Sequence, residues 1–288
     1  MGPGKVERKA LTYAIIACAR EKEWLEGFNL LELYARMKQP HQEEENDSKC
    51  VSSHAYVEVD AINSIMAAAG RNGRPDVTIQ LLNQMENRYH VSPNQRSYKT
   101  AIIACHQAER RQLRSSSTDN TKSMMFQWWE CALSLHRRMK EEGYTLDPQT
   151  YTCIISACEA AGQWQRAIGV LRSMDVKQTQ NLYCFNAAMS ACEKGGAWLE
   201  ALDIFERMKK YSPKVKPNFI TLNSLLIALD KADQRELAET IYKDALRDQL
   251  IRPWKKSTNH RGNPIRAMVR MDHHHFMNHN MLIDFTCL

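Results

Sequence analysis

Apolar residues recur through most of the chain at intervals of three and four, the period of a helix with one buried face. Phe185, Ala188, Met189 and Cys192 follow an i, i+3, i+4, i+7 pattern. After the break at Gly195-Gly196, Ala201, Ile204, Phe205 and Met208 repeat it. The pattern predicts two short antiparallel helices joined by a glycine turn. Such a hairpin cannot bury its apolar stripes alone, so it must stack on copies of itself.

The copies are visible in the sequence. YTCIISACEAAGQWQRAIGVLRSM, from Tyr151 to Met174, and FNAAMSACEKGGAWLEALDIFERM, from Phe185 to Met208, match in phase: aromatic, Ser-Ala-Cys-Glu, Gly, Trp, Ala and a closing Met. Extending the frame puts small or apolar anchors at Cys18, Ala69, Cys105, Cys158, Cys192 and Leu229, and closing residues at Met37, Met85, Met139, Met174, Met208 and Ala245. The closing residues are 48, 54, 35, 34 and 37 positions apart, so the earlier hairpins carry insertions. An all-α fold follows, a solenoid of about six helix-turn-helix repeats over residues 9–254. The polar stretches 39–56 and 109–123 are predicted to be exposed, mobile loops. The anchors and closing Met residues are predicted core positions. Trp129, Trp164 and Trp198, each at the start of a second helix, are expected to pack on the adjacent hairpin.

Composition narrows the picture. With 288 residues, 43% hydrophobic and 25% charged, the chain can form a buried core. A mean hydropathy of −0.53 and the lack of any long apolar run exclude a membrane-spanning helix and so a membrane partner. The stretch Met1–Lys5 has no apolar signal segment, and Val6 stands where a myristoylation signal needs Ser or Thr. Nine cysteines with no CxxC pair point to a reducing compartment. The net charge of +6 is concentrated in residues 243–270, where eight basic residues face two acidic ones. That stretch is either a phosphate-binding segment or a solvated tail.

The units lack the early Trp and Leu-Gly pair of tetratricopeptide repeats. Their first helices open instead with an apolar residue and a small polar one, as in Tyr151-Thr152, Phe185-Asn186, Ile62-Asn63 and Leu222-Asn223, and units end in VSPN (Val91–Asn94) or VKPN (Val215–Asn218). This combination resembles the pentatricopeptide repeat, a family of RNA-binding proteins, over about Lys9 to Trp254. The resemblance implies a right-handed α-solenoid, acting as a monomer on single-stranded RNA in a mitochondrion or plastid, with RNA-processing proteins as further partners and no cofactor.

In that family each unit reads one base with two side chains, the one after the aromatic and the last of the unit. Carried over, the pairs are Asn63 with Asn94, Lys99 with Asp147, Thr152 with Asn181, and Asn186 with Asn218, while Asn223 has Trp254 in its partner's place. Thr12 opens the first unit without a defined partner. Amides and hydroxyls offer directional hydrogen bonds to the Watson–Crick edge of an unstacked base. The family also clamps bases with side chains two residues before the aromatic, here Lys9, Asp60, Arg96, Gln149, Tyr183 and Ile220. Of these, Tyr183 and Ile220 suit a clamp, and the flat guanidinium of Arg96 can stack.

MDHHHFMNHNM, from Met271 to Met281, is similar to the opening of small MutS-related domains, with Asp272 and His274 at that motif's Asp and His. Residues 255–288 thus form a basic, His-rich tail, the start of such a domain at most. His273, His274, His275 and His279 have no ligand partner at metal spacing besides Asp272, so no metal site is expected. No carboxylate cluster for a two-metal nuclease follows the repeats, and no catalytic residue is assigned. Two other readings stay open: a solenoid scaffold gripping a protein, and the RNA-binding part of an RNA-processing nuclease.

Overall fold

The computed structural model describes residues 3–21, 23–37, 58–115, 126–174, 181–211 and 215–248. The segment 39–56, Trp254 and the whole tail 255–288, with Asp272, His274 and the histidine run, lie outside the described residues. Twelve helices and no strand occur among the described residues, in six successive pairs. They are α1 (Pro3–Arg20) and α2 (Trp24–Met37), α3 (Val59–Arg71) and α4 (Pro75–Gln84), α5 (Gln95–Ser115) and α6 (Trp128–Glu141), α7 (Pro148–Ala160) and α8 (Trp164–Arg172), α9 (Leu182–Gly195) and α10 (Trp198–Tyr211), and α11 (Phe219–Lys231) and α12 (Arg235–Arg247). The architecture is an α-solenoid of helical repeats. The chain divides into two compact units, Met1–Ala161 with α1 to α7 and Gly162–Leu288 with α8 to α12.

In the first unit α1 packs on α3, α3 on α5 and α5 on α7, while α2, α4 and α6 each cover their own first helix and touch the next. In the second, α9 packs on α11, α10 lies against both, α8 covers α9, and α12 closes on α11. First helices therefore stack on first helices, which is how each hairpin hides the stripe it cannot bury alone. Of the predicted core positions, Ala69, Cys105, Cys158, Cys192, Leu229, Met85, Met139, Met174, Met208 and Ala245 are buried, whereas Cys18 on the first hairpin is half-buried. Burial pushes the Cys192 thiol up to about 12, so it behaves as a small apolar group.

Two adjacent glycines show why the turn between α9 and α10 is written as it is. Gly196 ends α9 in the left-handed region at φ 67°, a conformation with no Cβ penalty for glycine. At Gly195 a Cβ would lie 2.1 Å from Trp164 Cδ1. The indole at the start of α8 thus packs directly on the backbone that ends α9, the inter-hairpin role expected of it.

The expected loop 109–123 is a helix in its first half. α5 runs to Ser115, and only residues 116–125 lie outside the described set. The residues ERRQLR are good helix formers, and their side chains tie to neighbouring helix ends. Glu109 accepts from the Trp129 backbone N–H at 3.2 Å at the start of α6, and Arg111 donates to the Arg71 carbonyl at 2.6 Å at the end of α3. Neither bond is visible in a local reading of polarity.

The first unit also buries two imidazoles, His106 on α5 and His136 on α6, and neither Nε2 atom has a partner. Burial, reinforced by Arg110 and Lys140 respectively, lowers each to about 4. Both are neutral at ordinary pH.

Candidate functional site

The last residue of a repeat has a structural task that fixes its position: it caps the next first helix. Asn94 stands before α5, where its Oδ1 accepts from Ser97 N–H at 3.0 Å, and Ser97 Oγ accepts from Asn94 N–H at 3.2 Å. Asp147 caps α7, accepting from Thr150 N–H at 2.7 Å and from its hydroxyl at 2.6 Å. Asn181 caps α9 through Tyr183 N–H at 2.8 Å. Asn218 caps α11 in a capping box with Thr221. Each cap satisfies helix N–H groups that lack an intrahelical acceptor. The buried Val91, Leu146 and Val215 just upstream fix the path by which the chain enters.

The polar residue near the start of the preceding first helix reaches the same place. Asn63 Nδ2 donates to Asn94 Oδ1 at 3.3 Å. Lys99 Nζ donates to Asp147 Oδ2 at 2.8 Å and to Gln149 Oε1 at 2.8 Å. Thr221 Oγ1 lies 2.6 Å from Asn186 Oδ1 and 2.9 Å from Asn218 Oδ1, and its single proton serves one of them at a time. Three of the paired positions are therefore joined, each across the seam between successive first helices. Burial pushes the Asp147 carboxyl up, but Lys99 and Thr150 outweigh it and hold the group below the usual carboxylate range.

Accessibility differs sharply along this series. Asn94, Lys99, Asp147, Thr152, Asn181, Asn186 and Asn218 are half-buried. Asn63 is 1% exposed and Asn223 6%, and each keeps an amide oxygen without a hydrogen-bond partner. Leaving such an atom buried and unsatisfied costs about 1–3 kcal/mol. Thr152 donates back to the Pro148 carbonyl at 2.9 Å, a bond within α7. Thr12 is buried on α1.

The clamp positions divide in the same way. Arg96 forms an ion pair with Asp60 at 3.6 Å, and Gln149 is bound to Lys99, so those three side chains serve the seams. Tyr183 is 59% exposed and Ile220 half-buried. The sequence reading missed Ser97, Thr150 and Thr221, which complete the caps. Their signal was present as N-x-x-S, D-x-x-T and N-x-x-T at the helix starts, close relatives of the capping-box pattern. Among the described residues no group of three or more His, Cys, Asp or Glu is placed to hold a metal, and no helix is long and apolar enough to cross a membrane.

A stack of helical hairpins with a recurring polar seam defines a helical-repeat protein. Residues 134–194 and 179–231 match the pentatricopeptide repeat domain, and residues 61–90 match the PPR repeat. No sequence match was found among the curated proteins. The structure is similar to nuclear proteinaceous RNase P 2 from A. thaliana, with 12% identity, a TM-score of 0.52, and coverage of 64% of this chain and 37% of that one. It is also similar to the PPR domain of Arabidopsis thaliana protein-only RNase P 1, solved in complex with tRNA, with 14% identity, a TM-score of 0.50, and coverage of 72% of this chain and 93% of that one. These likenesses concern the fold.

Proposed function

We propose that the repeat array binds single-stranded RNA with a preference for base identity, and serves the processing or stability of an organellar transcript. The observation that carries this reading is the recurrence of one polar set at three seams: Asn63 with Asn94, Lys99 with Asp147, and Asn186 with Thr221 and Asn218. Packing alone does not call for amides at these places, since apolar side chains would seal a seam without orphaned atoms. A nucleobase edge supplies the donors and acceptors that the amides lack. The tRNA complex of the similar PPR domain supports RNA as the ligand class.

Asn63 and Asn223 are covered, so a base reaches them only as the flanking first helices part. Asn186 and Asn218 exchange Thr221 for a base without losing a charge pair. The preferred RNA has the form pyrimidine–any–adenine–pyrimidine–pyrimidine, read from the second unit to the sixth, with the Lys99–Asp147 seam opposite the unrestricted base. Competition binding with single-stranded RNAs permuted at these places tests the proposal. The preferred RNA should win by about 1–3 kcal/mol per correct base. Equal affinity for all permutations refutes base reading.

A further inference from the structure

Two first helices end at the same place of the repeat, and each end is held by a cation from the first helix that follows. α3 and α9 close on glycine turns: Gly73 N–H donates to the Gly70 carbonyl at 3.0 Å, and Gly196 N–H donates to the Glu193 carbonyl at 3.4 Å. Both glycines lie in the left-handed region, at φ 80° and 67°. The same two carbonyls accept a second bond from the next hairpin. Arg111 on α5 donates to the Gly70 carbonyl at 3.4 Å and to the Arg71 carbonyl at 2.6 Å. Lys231 on α11 donates to the Glu193 carbonyl at 3.0 Å and pairs with the Glu193 carboxylate at 3.8 Å. The last carbonyls of a helix carry partial negative charge, so a cation is stabilised there.

The two donors are not copies of one another. Lys231 stands two residues after the anchor Leu229 and Arg111 six after the anchor Cys105, one helical turn further on. Different positions on the later helix thus reach one acceptor position on the earlier helix. That acceptor is seven residues beyond the paired amide, Asn63 to Gly70 and Asn186 to Glu193, about 10 Å along the helix.

A bond at one end of a helix fixes a point, whereas bonds at both ends fix an axis. The near ends of these seams are tied weakly. Asn63 meets Asn94 at 3.3 Å through neutral amides, beside the exposed Arg96–Asp60 pair at 3.6 Å, and Asn186 and Asn218 share one hydroxyl proton. Such directional contacts are lost by small shifts of one helix along its neighbour. We propose that Arg111 and Lys231 are positioning residues for RNA: each pins the far end of a seam, so that its near end presents two amides in register to one base. The proposal rests on the reading of the seams given above. With the far end held, the first helices part only at the near end. They close on the base with Asn63 still opposite Asn94, and Asn186 opposite Asn218.

The test uses the full chain and competing single-stranded RNAs that differ at one place. Arg111→Met should lower the preference for a pyrimidine at the second unit's place by about three- to ten-fold and leave the fifth unit's place unchanged. Lys231→Met should do the reverse. Arg111→Lys and Lys231→Arg keep a donor at each end and should restore most of the preference. Full base preference in folded methionine variants overturns the proposal, as does an equal loss at both places. A second readout needs no RNA. In urea unfolding, Lys231→Met and Asn186→Ala together should shift the midpoint by less than the sum of the two alone, although sites this far apart are ordinarily additive. Additive shifts overturn the positioning role. A wild-type chain that binds all the RNAs alike sinks the seam reading, and the urea cycle then decides the pinning by itself.

Discussion

The two compact units join their first helices by different chemistry at equivalent positions. In the first, charged contacts accompany the neutral Asn63–Asn94 pair. Lys99 bridges Asp147 and Gln149, Asp60 pairs with Arg96, and Arg111 ties α5 to the end of α3. On the second-helix side, Arg138 lies over the Tyr98 ring and donates to its hydroxyl, Tyr98 bonds Glu142, and Glu32 accepts from Arg88 and Tyr89. In the second unit the α9–α11 seam is neutral at the paired positions, Asn186 and Asn218 meeting at the Thr221 hydroxyl, and charged at its other end, where Lys231 pairs with Glu193 at 3.8 Å; Trp164 packs on Gly195. Ion pairs are costly to open and respond to salt and pH, whereas a shared hydroxyl changes partner at small cost. The paired positions Lys99 and Asp147 of the first unit are thus more salt-sensitive than Asn186 and Asn218 of the second.

Acid separates the units most strongly. His106 and His136 lie in the first unit, and their folded values of about 4 are below the ordinary 6.5. In the unfolded chain both take up protons first, so the stability due to their neutral state is complete above pH ~6.5 and is lost as pH falls through 4. Each contributes on the order of 3 kcal/mol, from 1.36 kcal/mol per pH unit. Asp147 acts in the same direction, while Glu109, raised by burial, opposes it. Hydrogen exchange at pH 4.5 should show α5 and α6 opening before α9 to α11; simultaneous opening would remove this distinction.

Next in size is the packing contact of the second unit. Gly195→Ala drives a methyl into Trp164 and should cost about 1–3 kcal/mol by overpacking, read as a lower urea midpoint. The same substitution at Gly169, where a Cβ meets nothing within 4 Å, should instead be neutral or stabilising.

The caps give a closer comparison. Asn218→Ala removes a neutral cap and should cost about 1 kcal/mol. Asp147→Ala removes a cap and also strands Lys99, and should cost more, with a difference that shrinks in high salt. Equal costs at all salt concentrations would show that the Lys99–Asp147 pair adds nothing to the seam. Smallest of all, Arg96→Gln breaks an exposed pair with Asp60 and should change stability by less than about 0.5 kcal/mol.

The hairpins were legible because their cause is local. A 3.6-residue period, a glycine turn and a repeated closing Met are written in consecutive residues, and they yielded the all-α repeat and the buried anchors other than Cys18. The pairing of Asn63 with Asn94, Lys99 with Asp147 and Asn186 with Asn218 was implied by the resemblance to the pentatricopeptide repeat, and the hydrogen bonds at these places join the same residues. Two things depended on the stacked helices. One is the burial of Asn63 and Asn223, set by the neighbouring helices and not by the polarity of Asn. Another is the continuation of α5 through 109–115, where polar residues read as loop because their partners, the Trp129 N–H and the ends of α3, are distant in the chain. The periodicity of a helix is a property of one segment, but exposure and charge proximity are properties of what packs beside it.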